Sequence, residues 1–306
     1  MRQIAFVFPG QGSQTVGMGR DLGENSPRWS EAQAALGVDL RRLCFEGPEA
    51  ELVLTTNTQP AILATSIVAL DALMAAGITC QYVAGHSLGE YSALVAAGSM
   101  GFAHALQTVR ARGRFMQEAV PAGEGSMAAV LGLDRGLVLQ ACDEAKDAGL
   151  VQVANLNAPG QTVIAGATAA VKKAAEIAKA KGAKRAVLLP VSAPFHCALL
   201  TPAARRLEEV LRGVTFRDLR VPLVTNVDAE LLTRGEGVAD ALVRQVTSPV
   251  RWEELVVRLA KEGADTFVEV GPGKVLSGLI RQIAPEARVL NVEDRASLET
   301  TLTALQ

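Results

Sequence analysis

The sequence predicts an α/β protein in two parts: a large unit built on a mostly parallel sheet, and a smaller β-α-β-β-α-β unit inserted into it. Three observations predict this. Near both ends of the chain, short apolar runs alternate with glycine turns and helical patterns. The middle stretch instead carries four strand-like runs around two helical ones. Turn-forming segments bracket that stretch, at 121–125 (PAGEG) and 192–194 (SAP).

Each element has its own signal. The apolar run Ile4-Ala5-Phe6-Val7-Phe8 stops at Pro9-Gly10, as a buried strand entering a loop does. Residues 58–76 have helical periodicity, with Pro60 tolerated in the first turn and Gly77 past the end. A second short strand is expected at 81–84, then a small-residue helix at 88–97 and another helix at 103–120. The middle reads as strand 126–133, helix 134–148, strands 151–155 and 161–165, an Ala/Lys-rich helix 168–181, and strand 186–191. That order is the ferredoxin-like pattern. The predicted division is therefore 1–124 with 193–306 for the large unit and 125–192 for the insertion. Further strands follow near 222–225, 266–270 and 288–292.

Composition narrows the function. The chain has 306 residues, with 30 Lys+Arg against 32 Asp+Glu, so its formal charge is −2. Near neutrality without a basic cluster argues against a nucleic-acid or membrane-surface partner. Hydrophobic residues at 49% and charged residues at 20% fit a globular chain rather than a disordered one. Cys44, Cys80, Cys142 and Cys197 are scattered, with no C-x-x-C pair and no histidine at ligand spacing, so neither a metal site nor a disulfide framework is expected. The first ten residues lack the long apolar region of a signal peptide. Asp71 interrupts the best candidate for a spanning helix. A cytoplasmic protein is the expectation.

The chemistry centres on Gly85-His86-Ser87-Leu88-Gly89, a G-x-S-x-G between an expected strand and an expected helix. A sharp strand-to-helix turn lifts the serine hydroxyl out of the sheet. The next amide, of Leu88, then points where an oxyanion would form, beside the positive end of the helix. Serine needs a base to become a good nucleophile. Of the three histidines, His86 adjoins the serine and His104 opens a helix. His196 lies where the insertion returns to the large unit, a natural wall for a cleft. It is the best base candidate, with a packing role as the alternative. The turn Pro9-Gly10-Gln11-Gly12 could aim the Gln11 amide at the same oxyanion, form only a tight turn, or cradle a phosphate weakly. Gly271-Pro272-Gly273-Lys274 lacks the spacing of a Walker loop. On the helix at 103–120, Arg110 and Arg112 flank an apolar stripe of Leu106, Val109, Gly113, Met116 and Val120. Either could snorkel, or grip a carboxylate with two hydrogen bonds. Periodicity does not choose.

Taken together these residues resemble the malonyl-CoA:acyl carrier protein transacylases, of the acyltransferase-domain family. The likeness runs through FVFPGQGSQ at 6–14, Gln59-Pro60, GHSLGE at 85–90, Arg112-Gly113 and MQEAVP at 116–121. It continues through NLNAPG at 155–160, His196-Cys197, QVTSPV at 245–250 and EVGPGK at 269–274. It spans essentially the whole chain in the family's order. It implies a hydrolase-like α/β unit carrying the ferredoxin-like insertion.

The resemblance also implies roles. Ser87 would carry the malonyl group as an ester, with His196 as base and then acid. The Gln11 and Leu88 amides would form the oxyanion hole. Arg112 would pair with the malonyl carboxylate, Gln59 would help line that pocket, and the Gln245 carbonyl would orient His196. The implied substrates are malonyl-CoA and an acyl carrier protein of fatty-acid or polyketide synthesis. The carrier brings the phosphopantetheine, so no resident cofactor and no metal is expected. The carrier is acidic, which makes Lys184, Arg185 and Arg281 candidates for a basic rim on the cleft. A monomer suits an enzyme that admits a whole carrier protein. Phe195, before the histidine, is bulkier than the small residue expected there and should crowd an α-methyl group, favouring malonyl over methylmalonyl.

Two other classes compete. A serine hydrolase of the α/β type keeps a late histidine after an acidic residue. Here about 110 residues follow His196 without another histidine. A non-catalytic carrier- or CoA-binding subunit would have no use for Ser87, His196 and Arg112 together.

Overall fold

The structure is a computed structural model describing residues 2–191 and 193–305. Among them are ten strands: β1 Ile4–Phe8, β2 Tyr82–Gly85, β3 Gly125–Leu131, β4 Val151–Ala158, β5 Gln161–Ala167, β6 Arg185–Leu188, β7 Leu223–Val224, β8 Leu231–Leu232, β9 Thr266–Val270 and β10 Arg288–Val292. They form two sheets. The larger has the order β10-β9-β1-β2-β7-β8, and the smaller β4-β5-β3-β6. The large sheet is parallel from β10 through β7, and β8 closes it as an antiparallel hairpin partner of β7. At two residues β8 is too short to carry an alternation signal, and sequence reasoning missed it.

β1 and β9 lie in the middle with helices on both faces, which is why they read as unbroken apolar runs. Alternate residues still part company, because strand side chains alternate between faces. Phe6, Phe8, Val268 and Val270 enter the core shared with the helices Thr55–Ala75 and Phe102–Glu118. Ala5, Val7 and Phe267 pack on the other face against Trp252, Leu255, Leu276 and Ile280.

The small sheet is antiparallel throughout, with the chain order β-α-β-β-α-β expected for it. One face, with Ala128, Val130, Val153 and Ile164, is covered by the helices Arg135–Glu144 and Thr168–Ala180. The other face sends Met127, Ala154, Val163 and Ala165 into the large core. A second link ties the two together: the Val250 amide donates to Ala154 and its carbonyl accepts from Leu156, both at 2.9 Å. Of the expected hinges, Gly125 opens β3, and Ser192 lies outside the described residues.

Two expectations about the helix Thr55–Ala75 are corrected. It starts three residues earlier than its periodicity suggests, so Pro60 lies in its interior rather than its first turn. The missing amide there removes a bond to the Thr56 carbonyl. Asp71 does not disqualify the helix as a span either: by length and composition alone it could cross a membrane. Its place is the core, however, and 78% of its apolar window is buried. Asp71 sits at the rim of that helix, paired with Arg28 at 2.7 Å.

Candidate active site

The turn after β2 is built by close backbone approach. A Cβ on Gly85 would stand 2.0 Å from the Gly89 carbonyl, and one on Gly89 would stand 2.1 Å from the Phe8 oxygen. Only glycine fits at either position. Between them Ser87 adopts φ 53°, a left-handed conformation that non-glycine residues rarely hold. The strain is held by Asn226, just past β7. Its Oδ1 accepts from the Ser87 amide and its Nδ2 donates to the Gly85 carbonyl, both at 2.7 Å. Leu88 caps the helix Gly89–Ala96, so its amide has no acceptor within that helix. The loop after β1 comes against the same turn, where a Cβ on Gly10 would lie 2.6 Å from the His86 carbonyl oxygen. Gln11 and Leu88 thereby line one cleft with Ser87.

His196 is buried, also at positive φ (61°), and its Nε2 lies 2.8 Å from Ser87 Oγ. Its Nδ1 lies 2.9 Å from the Gln245 carbonyl oxygen. A carbonyl only accepts, so Nδ1 carries the proton and Nε2 is free to take one from the serine. Gln245 stands in the last turn of the helix Val238–Thr247, where carbonyls have no intrahelical partner. A serine bonded to a base that is itself held by a third group is the arrangement of an activated nucleophile.

Arg112 closes the floor of the site. The helices Thr55–Ala75 and Phe102–Glu118 approach so closely at Gly113 that a Cβ there would lie 2.6 Å from the Thr55 oxygen. That contact sets Arg112 beside Gln59. Nη1 donates to Gln59 Oε1 at 2.8 Å, while Nη2 donates to Gln245 Oε1 at 2.9 Å and to Ser87 Oγ at 3.0 Å. The guanidinium also lies 5.7 Å from the Tyr91 ring centroid. Arg112 is only 2% exposed, and its Nε has no partner among the described residues. Burial pulls its pKa down. Arg110 instead faces outward and donates to the Leu36 carbonyl at 2.7 Å. The choice that periodicity left open is thus made by packing.

The cleft over these groups has a volume of about 630 Å³. Met127 and Asn155 of the small sheet and Leu189, Val191 and Phe195 beyond β6 line it together with the serine. A larger surface hollow of about 810 Å³, near Arg20 and Arg295, holds none of this machinery, and its Asp71 is already paired. Lys184 and Arg185 are exposed at the start of β6, the end away from Leu189 and Val191, and Arg281 is exposed on the helix Val275–Ile283. None of the three lines the cleft. His104 is exposed, and His86 engages Asn157 Oδ1 at 2.9 Å.

Sequence reasoning missed three features. Asn226 has no local signal. Glu90 lies in the quoted GHSLGE string yet carried no assigned part. The Gln245 side chain, as distinct from its carbonyl, bridges Arg112 and Glu90: its Nε2 donates to Glu90 Oε2 at 2.6 Å.

Burial, with the Arg112 charge adding to it, pulls the His196 pKa down to about 3. The imidazole therefore stays neutral far into acid. Labelling of Ser87 by an uncharged serine-directed fluorophosphonate is expected to keep its rate through the ordinary histidine range, about pH 6.5, and to fall only well below it. A loss centred near the ordinary value would refute the burial argument. The same shift makes His196 a source of acid lability. Below the unfolded value the unfolded chain binds a proton that the folded one does not, so this contribution to stability declines from there down to about pH 3.

The sequence matches the acyl transferase domain family over residues 5–299. The malonyl CoA-acyl carrier protein transacylase of Bacillus subtilis (strain 168) is 49% identical over 311 residues, which cover 100% of this chain and 98% of that protein. The crystal structure of an acyl-carrier-protein S-malonyltransferase from Burkholderia pseudomallei 1710b superposes with TM-score 0.96 at 49% identity, covering 98% of this chain and 99% of that one. A malonyl-transacylase solved in complex with its type II PKS acyl-carrier protein gives TM-score 0.96 at 45% identity, over 99% of both chains. With near-complete coverage in sequence and in fold, this chain belongs to the malonyl CoA-acyl carrier protein transacylase family of acyl transferase domains.

Proposed function

We infer that this chain transfers a malonyl group from malonyl-CoA to the phosphopantetheine thiol of an acyl carrier protein, for fatty-acid or polyketide synthesis. The observation that carries the reading is Arg112, a buried guanidinium within reach of the nucleophile, whose hydrogen-bond partners among the described residues are the neutral oxygens of Gln59, Gln245 and Ser87. A buried cation of this kind favours an anionic acyl group and gives a plain acyl group nothing to match.

The route is ping-pong. Ser87 Oγ attacks the thioester carbonyl while His196 Nε2 takes its proton, and the Gln11 and Leu88 amides hold the developing oxyanion. The C–S bond breaks, His196 passes the proton to the departing CoA sulfur, and malonyl-Ser87 remains. The carrier's thiol then attacks the ester, loses its proton to His196, and the proton returns to Ser87 Oγ. Gln245 holds His196 through both steps, so a Ser–His dyad suffices. Gln59 lines the carboxylate pocket with Arg112, and Phe195 narrows the cleft against an α-methyl group.

The sheet orders support a hydrolase-like unit, 1–124 with 193–306, carrying a ferredoxin-like insertion, 125–192. The enzyme works as a cytoplasmic monomer and needs no cofactor or metal of its own, because the carrier brings the thiol arm. Lys184, Arg185 and Arg281, standing outside the cleft, would meet the acidic body of the carrier rather than its arm.

Intact-protein mass after brief mixing with malonyl-CoA tests the reading. The expected result is one malonyl adduct that resists water and disappears onto added carrier protein. An adduct that simply hydrolyses would make the protein a hydrolase, and no adduct would leave a binding subunit.

A further inference from the structure

We propose that Glu90 is the internal counter-charge of Arg112, and that loading malonate onto Ser87 is coupled to uptake of a proton by the Glu90 carboxylate. The proposal rests on the reading of Arg112 as the partner of the malonyl carboxylate. Its basis is a buried relay. Arg112 Nη2 donates to Gln245 Oε1 at 2.9 Å, and Gln245 Nε2 donates to Glu90 Oε2 at 2.6 Å. One amide thus stands between a guanidinium and a carboxylate, with exposures of 2%, 0% and 1% for Arg112, Gln245 and Glu90. The same Glu90 oxygen accepts from the Asn226 amide at 3.3 Å.

Among the described residues, Arg112 and Asp228 are the charges that act on Glu90, with Tyr91 beside it in the chain and His196 joined to it through Gln245. Arg112 faces it from the helix Phe102–Glu118 and favours its ionised form. Tyr91 follows it in the chain, and burial keeps that phenol protonated. Asp228, beyond β7, has both oxygens held by Arg244 at 2.8 Å. His196 is kept neutral by burial.

In the free enzyme above neutral pH the guanidinium and carboxylate balance. A malonyl carboxylate adds a second anion to a site with one cation, and an uncompensated buried charge is costly. It also takes the Arg112 charge that supported the Glu90 anion, which raises that carboxyl further. Burial has already brought Glu90 up to about 7, so a modest push suffices. The neutral acid keeps one oxygen for Gln245 and Asn226 and carries the proton on the other. An acetyl group brings no charge, so it should draw no proton.

The transfer chemistry does not obscure this count. The serine proton leaves on the CoA thiol, so acylation itself is proton-neutral. Weakly buffered enzyme with a pH indicator, held about one pH unit above the Glu90 value of about 7 so that the free carboxyl is ionised, is mixed with malonyl-CoA and separately with acetyl-CoA. Intact mass of the same samples reports loading. Uptake approaching one proton per malonyl-enzyme, and none per acetyl-enzyme, is the expected result, with the malonyl uptake abolished in Glu90→Gln. Loading without uptake, or uptake that survives in E90Q, overturns the proposal while leaving the transacylase reading intact. Absence of the malonyl adduct would instead defeat that reading. A measurement on the unaltered enzyme covers the case where E90Q does not fold. The infrared difference spectrum of malonylated minus free enzyme should gain a protonated carboxyl band and lose a carboxylate band, and a spectrum without that exchange also overturns it.

Discussion

Arg112→Ala is expected to lower malonyl transfer by roughly a hundred- to a few-thousand-fold while leaving acetyl transfer level or higher. The scale follows from removing one partner of a buried charge pair, about 3–5 kcal/mol, with tenfold for every 1.4 kcal/mol. The direction for acetyl follows from the free site. There the guanidinium bonds neutral oxygens of Gln59, Gln245 and Ser87, and its Nε is unpartnered. Removing it also takes a donor off Ser87 Oγ, a bond that lowers the nucleophilicity of the hydroxyl. Stability should fall by less than the loss of a directly bonded ion pair would cost, because Glu90, left without its counter-charge, takes up a proton rather than remain an unpaired buried anion. Arg112→Lys should recover only part of the malonyl rate, since an ammonium keeps the charge but loses the planar fork. Steady-state transfer with both thioesters, beside thermal unfolding, checks all of this. Equal losses for malonyl and acetyl would make Arg112 a structural residue.

Ser87→Ala should abolish the acyl-enzyme and lower carrier loading by roughly a million-fold, the scale seen when a serine enzyme loses its nucleophile. Intact mass should show no adduct even at long mixing times. The double variant with His196→Ala should be hardly worse than the single one, because the two groups act as a unit at 2.8 Å. Ser87→Ala keeps the left-handed backbone and its strain, whereas Ser87→Gly removes both hydroxyl and strain. The glycine variant should be more stable than the alanine variant by about 1 kcal/mol. An adduct forming on Ser87→Ala at a normal rate would move the nucleophile elsewhere.

What could be read before the fold was known, and what could not, divides by distance along the chain. Strand runs, glycine turns and helical stripes are local patterns, so β1, β9 and β10 were legible to the residue and the β-α-β-β-α-β order was legible in the middle. The turn that presents Ser87 was legible for the same reason: Gly85 and Gly89 answer to contacts within the turn and with the strand beside it. His196 was suggested by its place at the return from the insertion, although it pairs with a serine 109 positions away. The two-residue β8 and the early start of the helix Thr55–Ala75 left no local mark.

The amino-acid sequence by itself determined the α/β class, the turn that presents Ser87 and, through a whole-chain likeness, the family. Only the tertiary structure decided which arginine meets Ser87, since Arg110 and Arg112 flank the same stripe and the packing at Gly113 sets just one of them, buried, against the serine. It likewise decided that Asn226 holds the serine turn from 139 positions away, and that the Gln245 side chain joins Arg112 to Glu90. The physical reason is that periodicity and turn chemistry act between neighbours in the chain. The partners of a buried polar group are set by which distant elements pack together, and that is a property of the closed core.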